Sequence, residues 1–287
     1  MGVTRAVVGH LPLPLIKWVS AARWRHPYLR RVIESVGGQL REGERVILRG
    51  AGRGLRFDPG QSNPGYTLGT SEPYVQDALA RCLRPGMTVY DIGANVGFYA
   101  VIAAHLVGPS GRVVCFEPVP ENATMIRRNL RANRFDHGTV CPQALGGSDG
   151  RARFLVGAET VASKLAAVSG PGDEYEREIE VEVRRLDAVT AGGRIPPPDF
   201  IKLDAEGAEA EILAGAADTV NAARPLMLIE LHGTDAAVSA ELSRLGYHEA
   251  MLKVEGPYCK YLLAAPAERP DLVGLIDSLC AKSRARP

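Results

Sequence analysis

Short apolar runs alternate with helically spaced apolar positions from residue 87 to residue 245 of this 287-residue chain. The runs typical of buried strands cover residues 87–92, 112–117, 138–143, 199–204 and 225–231. The stretches with helical spacing cover residues 96–107, 121–132, 207–215 and 235–245. This rhythm predicts parallel strands joined by right-handed crossovers, as in a doubly wound α/β sheet.

Other segments predict additional strands around this unit. Residues 152–156 and 179–186 interrupt the rhythm, and the second run alternates apolar with charged side chains, which indicates a half-exposed antiparallel strand. Residues 247–254 and 258–264 flank a glycine-proline turn, a pattern typical of a closing antiparallel pair. A helix over residues 270–282 is predicted near the end of the chain.

Residues 1–60 are predicted to form an extension or cap, followed by a catalytic domain over residues 61–287. Within the extension, residues 14–36 have the spacing of two short helices and carry five basic side chains and two tryptophans. Two interpretations stay open. The segment is either a basic amphipathic surface that contacts a membrane or a lipid substrate, or a cap packed on the catalytic domain with its charges in water.

Composition narrows the class of partner. A net charge of +1 gives no general reason to expect a polyanion, although the first 54 residues hold ten Lys and Arg against three Asp and Glu. Five scattered cysteines without a Cys-x-x-Cys pair fit a reducing cytoplasm better than a disulfide framework or a zinc site. Because no apolar run approaches the length of a membrane span and no signal peptide is evident, we expect a cytoplasmic protein. Peripheral contact at the inner membrane surface through residues 14–36 is the open alternative.

The segment Asp91-Ile92-Gly93-Ala94-Asn95-Val96-Gly97 closes the first strand of the alternating unit with an acid and then turns on glycines into an apolar helix. A strand, a glycine turn and a helix in this order form a nucleotide-binding crevice at the carboxyl edge of a parallel sheet. The glycine spacing differs from Gly-x-Gly-x-x-Gly, and an acid at the strand end would repel a pyrophosphate. The turn therefore favours a cationic, hydroxyl-bearing ligand such as S-adenosylmethionine, with a purely structural glycine turn as the alternative.

Glu117 ends the second strand of this unit, 20 residues after Gly97. A carboxylate there reaches the neighbouring crevice and can accept hydrogen bonds from ribose hydroxyl groups. Its alternative role is a negative charge at the N-terminus of the helix that follows.

Four ionisable side chains fall near the carboxyl ends of the fourth and fifth strands of the unit, where central parallel strands are normally apolar. The period of two places Lys202 and Asp204 on one face, and Glu230 and His232 likewise share a face. If the two faces coincide, the four side chains line one polar pocket beside the glycine turn. The alternative is an ion-pair network that joins adjacent strands.

Within such a pocket, His232 is the best candidate for a general base by its ordinary pKa, with Glu230 or Asp204 as the carboxylate that orients it. Lys202 is a second candidate, provided that its surroundings lower its pKa. Asp204 and Glu206 could bind a divalent cation, but two acids are weak evidence, and we predict no metal.

Nucleic acid is not expected as a substrate. Amino-methylating enzymes of nucleic acids usually carry (Asp/Asn)-Pro-Pro-(Tyr/Phe) after the fourth strand, where this chain has Leu203-Asp204-Ala205-Glu206-Gly207. No aromatic stacking platform accompanies a basic groove either.

Four segments follow one another between residues 66 and 265: Gly69-Thr70-Ser71-Glu72-Pro73, Tyr90 to Tyr99 around the glycine turn, Phe116-Glu117-Pro118, and Ile201 to Glu209. In order and spacing they resemble the FkbM-type methyltransferase family, as does the Glu230-x-His232 pair. Ser163-Lys164-Leu165 departs from the Ser-Ser-Leu often found in members, which leaves any contact by Ser163 open.

The resemblance implies a mostly parallel, seven-stranded, Rossmann-like sheet of the class I methyltransferases, with S-adenosyl-L-methionine as cofactor. It also implies O-methylation of a hydroxyl on a sugar, a glycolipid or a polyketide-like product. Carried over by position, it surrounds the donor with Glu72, Asp91, Gly93, Asn95, Gly97 and Glu117, and flanks its adenine with Gln143 and Ala144. Asp204 and Glu206 are implied to face the methyl group or the acceptor.

Two rival functions stay open: a donor-binding protein without turnover, and a nicotinamide-dependent oxidoreductase. The expected acceptor is a small molecule or a glycolipid. We expect the N-terminal helices and the Gly- and Ser-rich loop over residues 158–176 to shape its pocket. The sequence predicts no particular oligomeric state.

Overall fold

A seven-stranded sheet occupies the centre of the computed structural model, which describes residues 43–63, 65–157, 164–165, 175–256 and 259–284. The expected helices within residues 14–36 lie outside the described residues, as do Ser163 and most of the expected loop over residues 158–176. The described part of the chain contains no helix that combines the length and the apolar character needed to cross a bilayer.

The strands are numbered in chain order. They are β1 (Arg45–Val46), β2 (Arg56–Phe57), β3 (Thr88–Ile92), β4 (Arg112–Phe116), β5 (Gly138–Cys141), β6 (Ala144–Leu145), β7 (Gly150–Val156), β8 (Lys164–Leu165), β9 (Arg177–Arg184), β10 (Phe200–Leu203), β11 (Leu226–Leu231), β12 (Tyr247–Val254) and β13 (Lys260–Pro266).

The helices of the described residues are numbered in the same way. They are α1 (Gly65–Leu68), α2 (Pro73–Cys82), α3 (Phe98–Val107), α4 (Pro120–Ala132), α5 (Leu186–Thr190), α6 (Glu209–Ala214), α7 (Ala217–Ala223), α8 (Asp235–Arg244) and α9 (Pro270–Arg284).

The order of the central sheet is β12-β13-β11-β10-β3-β4-β5. Strands β3, β4, β5, β10 and β11 pair in parallel, which confirms the doubly wound unit predicted from the alternating pattern. Strand β13 runs antiparallel to both β11 and β12, so the predicted closing pair completes a mostly parallel sheet. The order reverses between β3 and β10, and ligands of such sheets bind at the carboxyl edge beside this switch point.

The predicted extra strands form a second sheet instead of extending the first. Strand β7 pairs antiparallel with β9 from Gly150 opposite Val183 to Val156 opposite Arg177, and the four-stranded order is β6-β9-β7-β8. The short helices α5 and α7 are absent from the sequence prediction. Each is no more than seven residues long, which is too short for a clear 3.6-residue period.

Helices cover both faces of the central sheet and so create two hydrophobic cores. Residues of α2, α3, α4 and α9 pack on one face, and residues of α6, α7 and α8 pack on the other. Val89 and Phe200 point into the first core. Since side chains alternate along a strand, Asp91 and Lys202 lie on this same face, at the end where β3 turns into α3.

A buried amide fastens the strand β2 region to α4. Asn129 is fully buried, and its side chain accepts a hydrogen bond from the Asp58 N–H at 2.8 Å and donates to the carbonyls of Asp58 and Val96, each at 2.9 Å. One helical turn later, Asn133 makes the same pair of bonds with the Arg56 backbone, but at an exposed position. The two asparagines therefore hold one strand by equivalent bonds in different surroundings.

Asn129→Ala is expected to lower the free energy of unfolding by about 2 kcal/mol or more, because it leaves buried backbone groups without partners. Asn133→Ala is the matched control and should cost under about 1 kcal/mol, since water can replace its exposed bonds. Urea unfolding of both variants measures the difference, and equal costs would contradict this account.

Candidate active site

A cavity opens at the carboxyl edge of the central sheet, beside the switch point between β3 and β10. It encloses about 970 Å³ between atoms, its open mouth included. Ten of the thirteen site residues expected from the sequence line it: Glu72, Gly93, Asn95, Glu117, Gln143, Ala144, Lys202, Asp204, Glu206 and Glu230. Asp91, Gly97 and His232 do not line the cavity, although all three lie close behind its wall.

Gly93 allows the turn after β3 to touch the turn after β10. Its φ is +75°, and a Cβ atom at this position would lie 1.7 Å from the carbonyl oxygen of Asp204. Its N–H and that of Ala94 both donate to the carbonyl of Phe116, at 3.0 and 3.1 Å. A side chain at this position would collide with the Asp204 carbonyl, so only glycine fits here.

Gly97 serves the packing of helices instead of the cavity wall. It precedes α3 with a φ of +86°, and a Cβ atom there would lie 3.2 Å from the side chain of Ile126 in α4. The expected contact of Gly97 with a donor is therefore replaced by a close approach between two helices.

Glu117 offers a buried carboxylate to the cavity at the end of β4. It is 5% exposed, and its oxygens accept hydrogen bonds from the N–H groups of Asn95 at 2.9 Å and Val119 at 3.0 Å. Asn122 donates a third bond at 3.3 Å. Burial raises the pKa of Glu117 to about 7, although these three donors act in the opposite direction. Since a carboxylate has about four acceptor sites, Glu117 retains capacity towards a hydroxyl in the cavity.

Asp91 faces the interior of the sheet instead of the cavity. It is 1% exposed, and one of its oxygens lies 3.7 Å from Lys202 Nζ on the paired strand β10. Asp91 does not line the cavity, and its carboxylate lies beside the buried Lys202, so its contact with the donor stays a prediction.

Lys202 is held as a cation. Its Nζ lies 3.1 Å from Asp204 Oδ2 and 5.1 Å from the centre of the Tyr99 ring. Burial acts to lower the pKa of Lys202, but the charges of Asp204 and Asp91 outweigh it and the pKa rises above its ordinary value. The role of Lys202 as a base was conditional on a lowered pKa, and the direction of the shift does not meet that condition.

His232 is likewise surrounded by carboxylates. Its Nδ1 lies 3.1 Å from Glu209 Oε1, and its Nε2 lies 3.4 Å from Glu230 Oε1 and 3.6 Å from Glu206 Oε2. Burial opposes the charge on the ring, but the bonds to Glu209 and Glu230, together with Asp204 and Glu206, raise the pKa of His232 to about 12. This raised pKa favours the protonated ring and argues against a general base, and the catalytic role of His232 stays a prediction.

The predicted coincidence of the two polar faces is confirmed. One ligand-type atom each from Asp204, Glu230 and His232 lies within 4.8 Å of the others, which is close enough for a shared divalent cation. The nitrogen that would bind such an ion is the one that already faces Glu230 and Glu206. A protonated His232 ring accounts for these short distances as well as a metal ion would, so the geometry alone assigns no metal.

Glu72 and Glu206 line the cavity as carboxylates that protonate near neutral pH. Burial, followed by the charge of Glu230, raises the pKa of Glu72 to about 8, while the Tyr99 hydroxyl donates to its carboxylate. Burial also raises the pKa of Glu206 to about 7. Both residues have left-handed φ values, +40° and +51°, as does Asn95, which also lines the cavity, at +51°. Strained backbone of this kind commonly marks functional sites.

Several cavity residues escape the sequence analysis. Tyr66 and Tyr99 lie inside or beside the quoted motifs, and their aromatic character could have indicated a place in the cavity. Phe154 comes from the second sheet, and nothing in its neighbouring sequence indicates that it lines the cavity. Glu209 appears in the sequence analysis only as the last residue of a quoted segment, with no role assigned to it. It accepts the N–H groups of Ala205 and Gly207, at 3.3 and 2.9 Å, and it also binds His232.

The model of the methyltransferase FkbM domain matches residues 91–253 of this chain, which is more than half of its length. The chain belongs to the FkbM methyltransferase family. The matched range includes the glycine turn, Glu117 and the Asp204–His232 cluster, but not Glu72.

Two curated proteins are similar to this family member over much of their length. The 31-O-demethyl-FK506 methyltransferase FkbM of Streptomyces tacrolimicus is 31% identical over 195 residues, which are 58% of this chain and 73% of that protein. The 2-O-methyltransferase NoeI of Sinorhizobium fredii is 28% identical over 202 residues, which are 66% of this chain and 79% of that protein.

Among solved structures, a methyltransferase FkbM from Methylobacillus flagellatus aligns with a TM-score of 0.46 at 21% identity. The alignment covers 70% of this chain and 52% of that one, so the chain spans about half the length of this solved relative. The strand order of this chain itself defines its fold.

Gly93→Ala is expected to lower the free energy of unfolding by about 3 kcal/mol or more, because a Cβ atom collides with the turn after β10 and the φ is left-handed. Gly193→Ala is the matched control. Gly193 has a φ of +63° with no atom within 4 Å of the added Cβ, and the substitution should cost only about 1 kcal/mol. Thermal and urea unfolding compare the two variants, and similar costs would refute the close approach.

Proposed function

We propose that this FkbM family member is an S-adenosylmethionine-dependent O-methyltransferase that acts on a hydroxyl of a sugar, a glycolipid or a polyketide-like product. The observation that carries the proposal is that two chemically different groups of residues line one cavity. The first group, here called the first wall, is Gly93, Asn95, Glu117 and the Gln143–Ala144 pair; the second group, the second or acceptor wall, is the four carboxylates Glu72, Asp204, Glu206 and Glu230. The names of two relatives, a 31-O-demethyl-FK506 methyltransferase and a 2-O-methyltransferase, support a hydroxyl acceptor.

The first wall fits the donor. The buried Glu117 carboxylate in this wall can accept hydrogen bonds from ribose hydroxyl groups. Gln143 and Ala144 follow β5 and would flank the adenine. The surplus of carboxylates further along the cavity suits the positively charged sulfur of this donor better than a phosphate group.

The second wall suits removal of a proton from a hydroxyl. When bound, the donor supplies a methyl carbon: the carbon–oxygen bond to the acceptor forms as the carbon–sulfur bond breaks, and the electron pair stays on sulfur. Because Lys202 and His232 are held as cations, the hydroxyl proton passes to a carboxylate. Glu206 and Glu72, with pKa values of about 7 and about 8, are the wall carboxylates closest to the neutral range in which general bases work best.

Calorimetry tests the donor directly. We expect saturable binding of S-adenosylmethionine and S-adenosylhomocysteine at one site per chain, and none of NAD. Transfer of a labelled methyl group to a panel of sugars, glycolipids and polyketides is then expected for a subset of hydroxylated acceptors. Binding of NAD alone would favour the oxidoreductase, and donor binding without transfer to any acceptor would favour a binding protein.

Donor affinity is expected to depend on pH through Glu117. This carboxyl accepts hydrogen bonds from two ribose hydroxyl groups most strongly when it is ionised, and its pKa is about 7. The association constant should therefore fall roughly tenfold between pH 8 and pH 6, with the loss at the acidic side. Calorimetry over this range measures the effect.

Glu72 and Glu206 titrate in the same range, so a Glu117→Gln variant serves to assign the effect. The variant should bind the donor more weakly at pH 8, with most of the pH dependence removed. An equally steep dependence in this variant would show that another carboxyl is responsible.

A further inference from the structure

The side chain of Glu209 lies at the junction of the two loops that carry the acceptor wall. It is fully buried at the first residue of α6, directly after the loop that contains Glu206. It accepts the N–H of Gly207 at 2.9 Å and the hydroxyl of Thr234 at 2.7 Å. One carboxylate thus joins the loop after β10 to the loop after β11.

Glu209 also determines how the His232 ring is turned. Its Oε1 lies 3.1 Å from Nδ1, so that the opposite nitrogen, Nε2, points to Glu230 at 3.4 Å and Glu206 at 3.6 Å. His232 itself does not line the cavity, whereas both of the carboxylates that it faces do. The ring is thus placed behind the reactive wall instead of on it.

The charges around the ring explain why a cation is required there. Four carboxylates surround His232, namely Asp204, Glu206, Glu209 and Glu230. Lys202, the other cation of the cluster, is already shared between Asp204 and Asp91. Without a charge on His232, Glu206 and Glu230 would repel each other with no cation between them. A buried carboxylate at Glu209 would also be left without its ionic partner, which is costly.

We propose that Glu209 and His232 are positioning residues: a buried ion pair that holds the Glu206 and Glu230 carboxylates in place against the acceptor. This assignment rests on the proposed methyl transfer. It gives His232 the role of a fixed cation instead of that of a general base. Glu209 orients the ring, and the ring fixes and screens the two wall carboxylates.

Nuclear magnetic resonance of the full chain labelled with ¹⁵N-histidine tests the charge without any acceptor. The chain has six histidines, and a His232→Asn spectrum identifies the signals of interest. We expect both ring nitrogens of His232 to be protonated at pH 8. A neutral ring at this pH overturns the proposal with the wild-type protein alone, whether or not a variant folds.

Glu209→Gln keeps the shape but removes the charge of the partner. It should lower the pH at which His232 titrates by about one unit or more, and lower kcat about tenfold, while the KM for the donor changes little. The matched control is Asp277→Asn, which removes the carboxylate 3.0 Å from His248 Nε2 on the far side of the sheet edge. It should leave the His232 signals and kcat unchanged.

Two further outcomes separate this proposal from its alternatives. Selective broadening of the His232 signals by one equivalent of Mn²⁺ would overturn it in favour of a metal site at Asp204, Glu230 and His232. A charged His232 in a protein that binds no S-adenosylmethionine would contradict the methyl-transfer function while leaving the ion pair intact. Unchanged His232 titration in a folded Glu209→Gln variant overturns the positioning role itself.

Discussion

The site depends on how an excess of buried carboxylates is neutralised at the carboxyl ends of β3, β10 and β11. Asp91, Asp204 and Glu230 are placed there by backbone pairing, so their mutual repulsion cannot be relieved by moving apart. Lys202, which lines the cavity, and His232, which lies behind it, supply the opposing charge. Because isolated buried charges are costly, the two cations and the carboxylates hold one another in a defined arrangement.

This neutralisation also decides which groups remain available for proton transfer. The neighbouring carboxylates raise the pKa values of Lys202 and His232, which disfavours both as bases near neutral pH. The carboxylates that are only partly compensated, Glu72 and Glu206, instead gain pKa values in the neutral range. Under the proposed function, the residue types that intrinsic pKa values recommend as bases act as supports, and carboxylates that these values would exclude accept the proton.

The parallel unit could be predicted from the sequence because its strands are short apolar runs separated by helical periods, and β3 to β5, β10 and β11 all appear within one or two residues of the expected bounds. The grouping of Lys202, Asp204, Glu230 and His232 followed from the period of two. Three things did not follow. The three-dimensional fold decides which strands pair, so the ion pair of Asp91 with Lys202 could not be predicted from the sequence. Phe154 reaches the cavity from a second sheet. The role of Glu209 depends on a histidine that lies 23 residues further along the chain.

The glycine turn could be recognised as a motif, but the place of each of its residues in the structure could not be predicted from it. Asp91, Gly93 and Gly97 all belong to one short segment, yet only Gly93 lines the cavity. Gly97 lets α3 approach α4, and Asp91 neutralises a lysine on the adjacent strand. A ligand site at the edge of a sheet needs a wall, a support for that wall and a helix packed behind it. Consecutive residues of one turn supply all three, because a strand, a turn and a helix point their side chains in different directions.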